Sequence, residues 1–103
     1  GYSDQKVNEK FEVTLFPNPF TSDFKLELLM SESGYVNYII MDLQGRIIYQ
    51  ESGKKLSLPG KHNMQIEDMQ FTKMVYQKGT YLFKAVIRTE SEIENIFKLI
   101  TKI

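Results

Sequence analysis

The sequence predicts an all-β fold, an antiparallel β-sandwich. Three observations predict it. Apolar and polar residues alternate with period two along most of the chain, the spacing of half-buried strands. Clusters of Gly, Pro, Ser and Asn interrupt the alternation at regular intervals. The 103 residues hold about seven such runs, the strand count and chain length of an immunoglobulin-like sandwich.

Gly1 to Lys10 are polar without a sustained pattern and read as a linker or lead-in, leaving 11–103 as one domain. Phe11, Val13 and Leu15 alternate with Glu12 and Thr14, a half-buried strand. Pro17-Asn18-Pro19 stops it, because neither proline has an N–H to extend a ladder. Asn18 precedes a proline and is biased to an extended conformation. The expectation is a stiff crossover anchored by Phe16 and Phe20. Phe24, Leu26, Leu28 and Met30 alternate with Lys25 and Glu27 in a second strand, and Ser31-Glu32-Ser33-Gly34 is a turn cluster.

Tyr35 to Asp42 is a third strand, rich in β-branched and aromatic residues. Leu43-Gln44-Gly45 is a short connection in which Gly45 supplies the positive φ of a tight hairpin. Arg46 to Glu51 is a fourth strand. Ser52 to Gly60 contains Gly53, Pro59 and Gly60 and reads as mostly loop. His62 to Asp68 is a weaker strand with Met64 and Ile66 on one face. Gln70 to Lys78 reads as an irregular excursion. Gly79 opens a long strand in which Tyr81, Phe83, Ala85 and Ile87 alternate against Thr80, Lys84 and Arg88. Thr89 to Glu92 is a polar turn.

Glu92 to Ile103 carries two patterns. Ile93, Ile96, Phe97 and Ile100 have helical spacing, and Ser91 with Glu94 matches a capping box. The same segment alternates, setting Ile96, Lys98, Ile100 and Lys102 opposite Phe97, Leu99 and Ile103. The pattern leaves the two even. A long strand and a short turn precede it, which favours a hairpin return and hence a strand.

Composition narrows the function. Thirteen basic residues balance thirteen acidic ones, so no net charge draws the chain to nucleic acid or an anionic membrane. No cysteine is present, which excludes disulfides, thiolate metal sites and cysteine nucleophiles. No apolar run approaches the ~20 residues of a membrane span. No signal peptide is visible and the chain opens on Gly1, so it reads as a piece of a larger protein or a processed product.

His62 is the sole histidine and reads as a surface residue, not a ligand or base. Glu90, Glu92 and Glu94 lie at period two and read as a solvated turn and strand start before a carboxylate pair or calcium site. Gly53-Lys54-Lys55 lacks the rest of a phosphate-binding loop. Tyr35, Tyr38, Tyr49, Tyr76 and Tyr81 read first as core and cross-strand packing, and second as a sugar- or peptide-binding face. The residues themselves describe a module without catalytic machinery, metal or cofactor.

Three ordered pieces carry a family resemblance. They are Leu15-Phe16-Pro17-Asn18-Pro19-Phe20, then Ile40-Met41-Asp42-Leu43-Gln44-Gly45-Arg46-Ile47, then Gly79-Thr80-Tyr81-Leu82-Phe83-Lys84 with a closing Lys98-Leu99-Ile100-Thr101-Lys102. Together they resemble the C-terminal sorting domain of type IX (Por) secretion system cargo proteins of Bacteroidetes, from about Val13 to the last residue.

The resemblance implies a seven-stranded immunoglobulin-like sandwich at the extreme C-terminus of an exported protein. It implies that the parent enters the periplasm by its own signal peptide. The partners it implies are a shuttle protein, an outer-membrane translocon and a surface sortase. The sortase removes the domain and attaches the parent to anionic lipopolysaccharide or releases it, so the parent ends at the cell surface or secreted.

By resemblance, Pro17, Asn18 and Pro19 match the family's first box, and Asp42, Gly45 and Arg46 its central hairpin. Gly79 and Tyr81 match the Gly-x-Tyr of the penultimate strand, and Lys98 and Lys102 the basic residues of the last. One departure stands out. The family approaches Gly-x-Tyr through a compact turn, often with proline, whereas Met69 to Lys78 is longer and has none.

An exposed terminal strand can be read by main-chain pairing at its edge, with alternate side chains adding specificity. Lys98 and Lys102 are expected to project together from such an edge. An exposed edge also leaves room for an edge-strand dimer. Two other classes compete. One is a carbohydrate-binding or adhesion sandwich, and the other a structural immunoglobulin- or fibronectin-like spacer.

Overall fold

The structure, a computed structural model, describes residues 11–67 and 77–103. The expected lead-in and most of the expected irregular excursion lie outside the described residues. Seven strands follow in order: β1 (Phe11–Phe16), β2 (Asp23–Met30), β3 (Gly34–Met41), β4 (Ile47–Leu56), β5 (Gly60–Glu67), β6 (Gly79–Arg88) and β7 (Ile93–Lys102). They form two antiparallel sheets, ordered β1-β2-β5 and β4-β3-β6-β7. β1 and β7 are each an edge of their sheet.

Period-two alternation builds both layers. Phe11, Val13 and Leu15 of β1 and Phe24, Leu26, Leu28 and Met30 of β2 face inward and are buried. Val36, Tyr38 and Ile40 of β3 and Tyr81, Phe83, Ala85 and Ile87 of β6 meet them from the other sheet. Each fully buried apolar side chain contributes about 1.5–3 kcal/mol of transfer free energy. The Tyr38 and Phe83 rings stack with centroids 5.7 Å apart, and Tyr49 approaches Tyr38 at 6.0 Å.

Strand β4 corrects the loop expected over Ser52 to Gly60. It runs on to Leu56, in register with β3 beyond a bulge that sets Glu51 opposite Tyr38 and Lys54 opposite Val36. Gly53 sits in that bulge at φ 68°, a conformation that costs glycine little. The Asn37 side-chain oxygen accepts the Gly53 N–H. A long-range side chain thus satisfies the donor that would otherwise have ended the strand. Gly34, expected in a turn, is instead the first residue of β3. A Cβ there would run into the Arg88 carbonyl oxygen.

The last segment is a strand. Ile100 is buried and Ile96 packs against the core, while Phe97, Leu99 and Ile103 are exposed. The crossover after β1 is anchored on one side only, since Phe20 is buried and Phe16 is exposed. Phe20 is the one that packs against a core ring, Phe24, tilted at 56° with centroids 4.8 Å apart.

Candidate functional site at the closing end of the sandwich

Backbone alternation decides which groups β7 shows to the outside. Tyr81 pairs with Ile100 and Phe83 with Lys98. At the turn, the Thr89 N–H donates to the Glu92 carbonyl at 2.9 Å. Even-numbered residues therefore bond to β6, and odd-numbered ones turn their N–H and C=O away.

The Pro-Asn-Pro box occupies part of that outer edge. The Asn18 amide donates from Nδ2 to the Leu99 carbonyl at 3.0 Å, and its Oδ1 accepts the Thr101 N–H at 3.0 Å. The side chain thus does what a neighbouring strand's peptide group would do. Phe20 continues the pairing, donating its N–H to the Thr101 carbonyl and accepting the Ile103 N–H, both at 2.9 Å. This makes a short parallel bridge, Phe20 with Lys102. Phe16-Pro17 and Asn18-Pro19 are both cis. With a proline on each side of it, Asn18 has no neighbouring N–H competing for its side chain.

Lys102 departs from expectation. It does not project beside Lys98 but is buried, with 8% of its surface exposed. Its ammonium donates to the Thr21 carbonyl and lies 5.4 Å from the centre of the Phe20 ring. The cause is its even-numbered place, which faces the core just where the core ends. The long stem lies along apolar surface and the head reaches a carbonyl and a ring face. Lys98 is exposed, and it lines the groove between the β1 and β7 edges with Thr14, Asn18 and Leu99.

The central hairpin forms as its residues predict. Gly45 has φ 91°, and its N–H donates to the Asp42 carbonyl at 3.0 Å, while the Asp42 N–H donates to the Arg46 carbonyl at 3.0 Å. This is a three-residue loop closed by a glycine bulge. The Asp42 carboxylate accepts the backbone N–H groups of Gln44 and Arg46, each at 2.9 Å, and Arg46 Nε at 2.6 Å. The Arg46 N–H first, with the Arg46 side chain and Gln44 N–H behind it, holds the Asp42 carboxyl below the usual carboxylate range.

Register brings the boxes together. Gly79, at φ 147°, lies opposite Lys102, and Met41, next to Asp42, lies opposite Leu82. Tyr81 is buried and its hydroxyl donates to the Gln77 carbonyl. Burial pushes the Tyr81 phenol up, the Asp42 charge adds to this and the Lys102 charge opposes it. Pro17, Asn18, Pro19, Asp42, Gly45, Arg46, Gly79, Tyr81 and Lys102 thus gather at one end of the sandwich. Lys98 stands one residue beyond Leu99 along β7, at the margin of that end, on the groove it shares with Asn18.

The residues that sequence reasoning missed here are Leu99, Thr101 and Thr21, whose backbone groups complete the contacts. Their one sequence signal was Asn18 itself, a side chain with both a donor and an acceptor, held between two residues that lack N–H.

Among the described residues the alternative sites do not assemble. Among the described tyrosines, Tyr38 and Tyr81 are buried, Tyr49 packs against the core and Tyr35 alone is exposed. Tyr76 lies outside the described residues. The His62 ring bonds to the Leu58 carbonyl at 2.7 Å, donating from Nε2. Among the described residues no three His, Cys, Asp or Glu side chains group as metal ligands do. Nor, among the described residues, is any helix long and apolar enough to cross a membrane.

No curated protein matches the chain. Among solved structures, dimeric latent PorU from Porphyromonas gingivalis shares the fold, with a TM-score of 0.71 and 18% identity over 98% of this chain. The chain spans 10% of that protein's length. The secretion system C-terminal sorting domain family matches residues 14–101. The chain therefore belongs to that family, a C-terminal export signal of the type IX secretion system, and the domain is an address and not itself a catalyst.

Proposed function

We propose that the secretion machinery reads this domain at its closing end, where the Pro-Asn-Pro box and the terminal strand form one surface. The observation that carries the proposal is the Asn18 amide, bonded at once to Leu99 and Thr101. Two boxes at opposite ends of the chain are displayed only as a joined pair. Lys98, exposed beside Asn18, is the charged group of that surface. Lys102 holds it in shape from beneath.

On this reading the domain spans 11–103 and its parent passes through the periplasm. A shuttle protein and the outer-membrane translocon engage the closing end. A surface sortase then removes the domain and leaves the parent on lipopolysaccharide or free. Deleting residues 98–103 from the parent is the test. The expected result is a parent stalled in the periplasm, with protease resistance of the remaining sandwich measured alongside. Normal surface delivery of the truncated parent contradicts the proposal.

A further inference from the structure

The bonds to Asn18 and Phe20 cover the outer edge of β7 only from Leu99 onward. The same alternation turns the N–H and C=O groups of Ile93, Asn95 and Phe97 outward, on a strand that ends its sheet. Among the described residues nothing pairs with the outer edge of this half, and its outer face is apolar, with Ile93 59%, Phe97 55% and Leu99 59% exposed. Its inner face carries Glu94 and Lys98 at the mouth of the groove beside β1, with Ile96 between them. Among the described residues neither charge has an ion-pair partner in its own copy.

We propose that residues 93–99 pair, antiparallel, with the same segment of a second copy of this chain. Inward-pointing charges on an edge strand oppose pairing with other strands. Here the two have opposite sign and stand four residues apart. A two-fold axis at Ile96 sets each Glu94 opposite the partner's Lys98, so that one register cancels both charges. It also sets Ile93 opposite the partner's Leu99 and Asn95 opposite the partner's Phe97.

The outward-facing residues are odd-numbered, so this register makes Asn95 and Phe97 the hydrogen-bonded pairs. With the Leu99 N–H it gives about six main-chain hydrogen bonds. A two-residue shift one way places Ile93 against Thr101, whose edge Asn18 and Phe20 already occupy. The opposite shift sets Leu99 against the turn residue Ser91 and parts Glu94 from Lys98. Asn18 is therefore the end stop that fixes the seam. A contact of this size belongs to the weak, reversible class. The proposal does not rest on how the secretion machinery reads the domain.

Sedimentation equilibrium of the 103-residue chain over a concentration series tests it. A reversible monomer–dimer equilibrium is expected. Lys98→Glu or Glu94→Lys alone raises the dissociation constant about tenfold, because two equivalent pairs become like-charged. The double exchange E94K/K98E returns it to within about threefold of the original. Asn95→Pro removes an outward N–H that the β6 ladder does not use, and is expected to abolish dimerisation while the chain melts cooperatively. A chain that stays monomeric throughout overturns the proposal. So does a dimer that survives Asn95→Pro, or a double exchange no better than the single ones.

Discussion

The side chain of Asn18 accepts the backbone N–H of Thr101 at 3.0 Å, across a separation of 83 residues. Its Nδ2 closes the second bond, to Leu99, and Phe20 carries the pairing to the chain end. A box that seems on paper to end one strand thus guards the edge of another. Without it, β7 would present an open row of donors and acceptors along its whole length.

Asn18→Ala removes both side-chain bonds and leaves Leu99 and Thr101 to water. The expected loss is about 1–2 kcal/mol, toward the lower part of the range for two hydrogen bonds because the edge is solvated. Urea unfolding measures it. Amide exchange at Thr101 should accelerate more than at Ile100, which stays bonded to β6.

The two lysines separate by environment. Lys102→Ala removes a buried stem, a carbonyl contact and a cation–ring contact, and is expected to cost about 1–3 kcal/mol. Lys98→Ala lies on exposed surface and should change stability by no more than about 0.5 kcal/mol, yet reduce export of the parent. Comparing melting with surface delivery for both variants checks this. Equal effects on folding would contradict the assignment.

Asp42 predicts the acid behaviour of the hairpin. Its carboxyl is lowered in the folded chain, chiefly by the Arg46 N–H. Its contribution is therefore full above the unfolded value, near pH 4, and drains away as pH falls through the folded value. Asp42→Asn should lower the melting temperature at neutral pH. It should also flatten the decline in melting temperature as pH falls below about 4.

Local chemistry made much of the fold legible. Alternation marked six of the strands, because each buries one face against the opposite sheet, while β7 was even between helix and strand by pattern and was favoured as a strand by the long strand and short turn before it. The Asp42-to-Arg46 hairpin was readable because its bonds close within five residues. What stayed illegible depends on distant partners. Strand β4 survives Gly53 only because Asn37 takes its N–H. Lys102 looks like a surface residue until Thr21 and Phe20 are brought beneath it. Phe16 and Phe20 are equivalent by pattern, and only the pairing with β7 buries the second. The resemblance gathered the site residues as separate boxes. Their meeting at one end follows from register, which is a property of the folded sheet.

On the proposed reading the first box and the last strand are one signal. The direct measurement is surface delivery of the parent carrying Asn18→Ala, in a host with the type IX system, beside the parent with the intact domain. Amide exchange must show the variant sandwich folded and the Thr101 amide open. Delivery is expected to fall toward the level of the 98–103 deletion although the terminal strand is complete. Undiminished delivery from such a variant would contradict it.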